Sequence, residues 1–373
     1  MGVRGDERSR GDGGDGIHET PPETYDTVVK ENVLVDSPAG AVPAVAEAIR
    51  VAREHPQRPV RVGIPKDALA SHAPQPAVGD RKPAVPPAQP ASAVDRATDL
   101  LAEADAPVIL AGGGVRRAGA SDSLRTVAER LDAPVVTTHK GKGTLPETHS
   151  LSAGVICGGS SVELRELLAD ADRGLVVGSD LDAVSTASWS VSLPESLIHV
   201  TLDGDDIGFG YEADLGIVAD ADRFLRALGD RLEGLDATDG SAGSSSQTTG
   251  AARAETVRSA DRERFDAVAA GRAPGDPLSS VEVLREVREA LPTDAVVTAD
   301  AGGSRQWILV SFPATGPSRY VNRGRGRRWG PRSRRRSAPR SRTATATWWR
   351  SPATEASSCV FTSYIRWRLK VST

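Results

Sequence analysis

Between residues 93 and 233, short apolar runs alternate with amphipathic stretches, and this alternation limits the fold more than any other feature of the chain. The runs PVILA, PVVTT, GLVV, LIHVT and GIVA are each four or five residues long. AVDRATDLLAEAD, ASDSLRTVAERLD, SVELRELLADAD and DADRFLRALGDRLEGL lie between or after them, with apolar residues at helical spacing. A strand that is apolar at consecutive positions is buried on both faces. Strands of that kind alternating with helices predict a parallel sheet covered on both sides. The expected class is α/β, with a central Rossmann-like domain over 93–233 flanked by partial α/β domains.

The flanks read differently. Residues 1–19 open with MGVRGDERSRGDGGDG, which has no apolar periodicity and reads as disordered. ETYDTVVKENVLV, AGAVPAVAEAIRVAREH and RPVRVGIPKDAL predict one strand–helix–strand unit over 20–70. The Pro- and Ala-rich stretch 71–92 is a semi-rigid linker, and the stretch 234–275, with GSAGSSSQTTG, is a flexible one. PLSSVEVLREVREALP and DAVVTADAGGSRQW predict a helix and a strand with a Gly turn, so a further domain begins over 276–322. From 323 to 373 the apolar periodicity is lost. Arg occurs in runs, and four of the six Trp are found here.

The charge is divided in the same way. The overall formal net charge is −4. From Arg323 onward there are 14 Lys and Arg and one acid, Glu355, which leaves 32 basic against 49 acidic residues before it. A Lys-poor, acidic surface of that kind suits a salt-rich cytoplasm, where screening removes self-repulsion. No apolar run approaches the roughly 20 residues of a membrane helix, and the first residues lack the apolar core of a signal peptide. Two cysteines, Cys157 and Cys359, are too few for a disulfide framework. The expectation is a cytoplasmic protein without membrane partners.

Several residues stand where chemistry is commonly placed. Gly112, Gly113 and Gly114 follow a strand and precede a helix. Such a loop either lets a backbone approach a phosphate or simply makes a tight turn. His139 and His149 flank Gly141–Lys142–Gly143 without a third partner at metal-ligand spacing. Cys157 lacks a basic neighbour in sequence and reads as a small buried residue.

The order of these pieces resembles thiamine diphosphate-dependent enzymes of the acetolactate synthase type. PVRVGIPKDAL is similar to the end of that family's pyrimidine-binding domain. PVILAGGGVRRAGASDSLRTVAERLDAPVVTTHKGKGTLPETH, LLADADRGLVVGSDLD and IHVTLDGDDIG are similar to its central domain. PLSSVEVLREVREALPTDAVVTADAGGSRQW is similar to the start of its diphosphate-binding domain. The resemblance implies thiamine diphosphate and Mg²⁺ as cofactors, a small 2-oxoacid as substrate, carbon–carbon bond formation or cleavage through a thiamine carbanion, and a homodimer or tetramer in intact relatives. It also implies that Gly302, Gly303 and Ser304 form the first diphosphate loop, with Ser304 where His is frequent. In flavin-containing members, Gly112–Gly114, the loop at Gly141 and the strand end at Gly178 contact FAD, and an acidic residue at the position of Asp203 meets the adenosine part. Those members carry Arg where Asp180 stands, so the missing positive charge disfavours FAD. Asp203 reads equally as a strand-end cap.

The family's metal ligands lie in a Gly-Asp-Gly motif, and none follows Trp307. With each codon started at the third base of the preceding one, RRWGPRSRRRSAP admits MGPALPAAIGA and SPATEA admits TGDGG. Both are family strings, in family order. The expectation is therefore that 323–373 is the diphosphate domain read out of frame, a disordered tail whose basic charge comes from GC-rich codons and not from a nucleic-acid partner. The Glu that activates the cofactor has no candidate here, so the chain is expected to be inactive. The other reading, from a different class, is a stand-alone nucleotide-binding or assembly module built on the central domain.

Overall fold

The computed structural model describes residues 2–6, 22–72, 88–238, 248–271, 273, 275–299 and 302–322. The tail 323–373, the Pro-rich part of the first linker and the Ser/Gly stretch of the second lie outside the described residues. The chain divides into two compact units, 1–87 and 88–373.

In the first unit, strands β1 (Gly2–Asp6), β2 (Glu31–Leu34) and β3 (Val60–Pro65) form a parallel sheet in the order β1-β3-β2. Helix α1 (Ala41–Arg53) makes the crossover from β2 to β3, and the short α2 (Lys66–Ala70) follows. Val35, Ala48, Val51, Val60, Val62, Ile64 and Ala68 form its core. The strand–helix–strand unit read from the sequence is present. Strand β1 is an addition, because it lies in a stretch read as disordered. It pairs with β3 through backbone groups, for which no apolar pattern is needed.

The second unit is built on six parallel strands: β4 (Pro107–Ala111), β5 (Val135–Thr138), β6 (Ser152–Ile156), β7 (Arg173–Val177), β8 (Ser196–Thr201) and β9 (Leu215–Val218). Their order is β6-β5-β4-β7-β8-β9. The chain winds outward from β4 to one edge, returns, and winds outward from β7 to the other, which is the doubly wound α/β arrangement. Alternate residues supply the two faces. Ile109, Ala111, Leu175 and Val177 pack under α3 (Ala91–Ala102), α5 (Ser121–Arg130) and α7 (Ala221–Thr238). Val108, Leu110 and Val176 pack under α6 (Val162–Ala169) and α8 (Gly250–Ala270). The short α4 (Gly113–Ala118) follows β4 directly.

Strand β6 was not expected, and neither was α8, a 21-residue helix within the stretch read as a linker. Thr249 caps it by accepting from the Ala252 N–H, and Ala254, Val257 and Phe265 are its buried residues apart from Gly250. Arg258 holds it in place, donating to the carbonyls of His149, Ser150 and Ser152 just before and at the start of β6.

Beyond α8, helix α9 (Ser280–Ala290) starts with a reciprocal Ser279–Glu282 capping box. Strand β10 (Val297–Ala299), helix α10 (Gly303–Ser311) and strand β11 (Tyr320–Asn322) form a parallel strand–helix–strand unit. This unit shares a core with the sheet edge: Val155 and Cys157 pack with Leu284, Val297, Ile308, Leu309, Phe312 and Tyr320. No helix among the described residues is long and apolar enough to cross a membrane.

Candidate functional site

In a doubly wound sheet, ligands bind beyond the carboxyl ends of the strands where the winding reverses. Here that point lies between β4 and β7. The structure brings Gly112, Gly113 and Gly114 from β4, Gly141 from β5 and Gly178 from β7 together at this point. All but Gly113, which faces the Lys140 side chain, are packed main chain to main chain. The Gly112 N–H donates to Val177 O and the Gly114 N–H to Gly178 O, each at 2.8 Å. A Cβ on Gly112 would stand 2.2 Å from Gly178 O, and one on Gly141 would stand 2.3 Å from Ala111 O. Glycine is required here because the loops touch one another, and the N–H groups of Gly112 and Gly114 are already engaged.

Side chains form an outer ring around this crossing. Lys140 Nζ bonds Asp180 at 2.9 Å and Asp182 at 3.3 Å. Burial alone would raise the Asp182 carboxyl. The Ser185 N–H at 2.8 Å and the Lys140 charge outweigh it and hold the group at about 2. His139 lies against Ser185 Oγ at 3.2 Å, and burial and the Lys140 charge lower its pKa. Beneath it, His199 faces Ser179 O at 2.9 Å and is lowered by burial. Trp189 Nε1 donates to Leu181 O, and the exposed indole meets Phe209 edge to face at 5.8 Å.

Asp203, two residues beyond β8, caps the short turn Gly204–Asp206, its carboxylate accepting from the Asp205 N–H. Burial, Asp203 and Asp180 together raise the neighbouring Asp206 carboxyl. This end of the crevice is therefore acidic, and the Lys140 cation beside it is shared between two carboxylates. No cluster of three or more His, Cys, Asp or Glu among the described residues is placed to hold a metal ion.

Gly302, Gly303 and Ser304 lie elsewhere, at the β10-to-α10 turn. Gly302 has φ +138°, a conformation that favours glycine, and nothing lies within 4 Å of a Cβ built on Gly303. The N-terminus of α10 is an open strand–turn–helix end of the kind that receives phosphates.

Sequence reading missed the seam between these two regions. Lys142 is only 1% exposed. Its ammonium donates to both carboxylate oxygens of Glu147, at 2.6 and 2.7 Å, and to Leu309 O at 3.0 Å. Glu147 Oε2 also accepts from the Ala314 N–H at 3.1 Å, and the Glu147 N–H donates to Ala314 O. The Lys142–Gly143 loop thus fastens α10 and β11 to the central sheet.

Comparison with known proteins agrees with this architecture. Residues 94–228 match the model of the thiamine pyrophosphate enzyme central domain. A thiamin diphosphate-dependent enzyme structure from Mycobacterium smegmatis superposes with a TM-score of 0.59 at 20% identity, over 79% of this chain and 53% of that one. The fold is that of a thiamine pyrophosphate enzyme. The chain is 30% identical over 311 residues to the acetolactate synthase large subunit of Corynebacterium glutamicum, covering 80% of this chain and 46% of that one. It is 32% identical over 300 residues to a probable 2-ketoarginine decarboxylase of Pseudomonas aeruginosa, covering 78% and 49%. Residues 94–228 thus form a thiamine pyrophosphate enzyme central domain, and the chain, similar to these relatives, spans about half of their length.

Proposed function

We propose that the chain carries the central domain and the opening of the diphosphate-binding domain of a thiamine diphosphate- and Mg²⁺-dependent enzyme acting on a 2-oxoacid, probed most directly with pyruvate. The match over 94–228, continued by the Gly302 turn at the start of α10, carries this reading. Gly302, Gly303 and Ser304 fit one end of a diphosphate: the turn is open and the helix start offers N–H donors. When bound, thiamine diphosphate supplies the electron sink for breaking or forming the bond beside the substrate carbonyl. The residues of this chain support that work by position. Lys142 and Glu147 hold α10 against the sheet, and the glycine crossing sets the relation of β4 to β7.

By the same reading, this polypeptide alone does not turn over substrate, since its sequence after Trp307 contains no metal-binding Gly-Asp-Gly. The purified chain, given pyruvate, thiamine diphosphate and Mg²⁺, is expected to make no acetolactate in a colorimetric assay. Sustained acetolactate formation would refute the claim. Intact relatives would act as cytoplasmic homodimers or tetramers. FAD is not part of the reading, because the N–H groups of Gly112 and Gly114 are engaged and Lys140 is neutralised. The second reading is a stand-alone nucleotide-binding or assembly module built on the doubly wound central domain. Saturable ADP or FAD binding by the full chain, with none of thiamine diphosphate, would put that reading first.

A further inference from the structure

Where β11 meets the central sheet, the polar chemistry is unfinished. Tyr320 is 1% exposed, and its phenol oxygen is enclosed without a hydrogen-bond partner among the described residues. Arg305, on the first turn of α10, has an enclosed Nε–H that is likewise unpartnered. The guanidinium of Arg116, from α4, makes one hydrogen bond among the described residues, to the Tyr320 carbonyl at 3.3 Å. Arg305 and Arg116 both lie close enough to the phenol to act on its charge, as does Glu147. Lys142 sits over the Tyr320 ring at 5.9 Å, but Glu147 already balances it. Arg305 also reaches the field of His139. Arg305 and Arg116 thus both bear on the phenol's charge, Arg116 from the Tyr320 carbonyl itself, and neither has a carboxylate partner among the described residues.

Folded proteins leave few enclosed donors unpaired, and an unpaired group is often the mark of an absent ion or ligand. An acceptor able to take Arg Nε–H, a second guanidinium and a Tyr O–H at once is an oxyanion, whose geometry suits the guanidinium fork. Burial raises the phenol's pKa, so it stays protonated and serves as a donor. We propose that Arg305, Arg116 and Tyr320 form a receptor for a small oxyanion, a carboxylate or a phosphate, at the seam between α4, α10 and β11. The receptor does not rest on the cofactor reading, since it uses neither thiamine nor the Gly302 turn.

The test is calorimetric titration of the full-length chain at constant ionic strength with inorganic phosphate in one arm and pyruvate in the other. Saturable binding of one of them is expected, and the stronger arm identifies the source. Arg305→Gln should weaken that binding by about tenfold or more, and Tyr320→Phe, which keeps the ring, by about fivefold. Arg117→Gln removes the same charge from an exposed neighbour on α4 and should change binding by less than about twofold. If Arg305→Gln does not fold, Tyr320→Phe and Arg117→Gln carry the comparison. The proposal is overturned if neither anion saturates the chain by about 10 mM. It is also overturned if Arg117→Gln weakens binding as much as the seam variants do, which would mean diffuse surface charge.

Discussion

Replacing Lys142 with Met should cost the chain more stability than any ordinary lysine substitution. Lys142 is 1% exposed and Glu147 13%, so water screens the pair poorly. The ammonium makes three hydrogen bonds, at 2.6, 2.7 and 3.0 Å. Met fills much of the volume, but it leaves the Glu147 carboxylate enclosed without its counter-charge. Breaking one side of such a pair costs about 3–5 kcal/mol. For a unit of this size that is a fall in melting temperature of about 10 °C. The double variant Lys142→Met/Glu147→Leu removes both charges and should recover most of the loss. About 1 kcal/mol would remain for the Ala314 N–H that loses its acceptor. Urea unfolding followed by far-ultraviolet circular dichroism measures all three free energies, and the cycle isolates the coupling. A loss under about 1 kcal/mol for Lys142→Met would show that the ion pair does not fasten α10 to the sheet. A double variant less stable than the sum of the singles would show the same.

Other perturbations give separate expectations. Gly112→Ala places a Cβ 2.2 Å from Gly178 O and should cost over about 3 kcal/mol or prevent folding, whereas Gly303→Ala meets nothing and should be neutral or stabilising by up to about 1 kcal/mol in the same urea experiment. The fold favours neutral His199 and His139, because burial lowers both. Their contribution is complete above the unfolded histidine value near 6.5 and is lost as pH falls through it toward the lower folded values. Stability should therefore drop between about pH 7 and 5, and His199→Gln should flatten that drop. Asp182 works lower on the scale. Its carboxyl is held at about 2, so its contribution disappears as pH falls from about 4 toward that value, and an acid titration of Asp182→Asn should lack this component. Finally, the excess of 49 acidic over 32 basic residues before Arg323 predicts a melting temperature that rises with added potassium chloride. A falling one would remove the salt-adapted reading.

The sheet was legible because its strands are apolar at consecutive positions, which few other structures require. β6 was not, since SAGVI is short, contains Ser and Gly, and lies at the sheet edge. Helix α8 was hidden for another reason. Its 21 residues are crowded with Arg, Glu and Asp, and only Ala254, Val257 and Phe265 mark its buried side apart from Gly250, too few for a clear helical period. The glycines of the crossing could be located in sequence, but whether they face a ligand or one another depends on β7, some 60 residues from β4 in the chain. The sequence reading had left that choice open. Lys142 was the least legible of all. Lysine is almost never buried without a partner, and its partner Glu147 looks like any surface acid until α10 and Ala314 close over both.

The glycine crossing also limits how such a chain can diverge. Where Gly112, Gly114, Gly141 and Gly178 meet, the contact is made by backbone alone, so no substitution can reshape it without displacing a strand end. The outer ring of Lys140, Asp180, Asp182 and Trp189 carries no such restriction. A lineage can therefore exchange its charges and aromatics while the junction beneath stays fixed. Junction and ring answer to separate selective pressures.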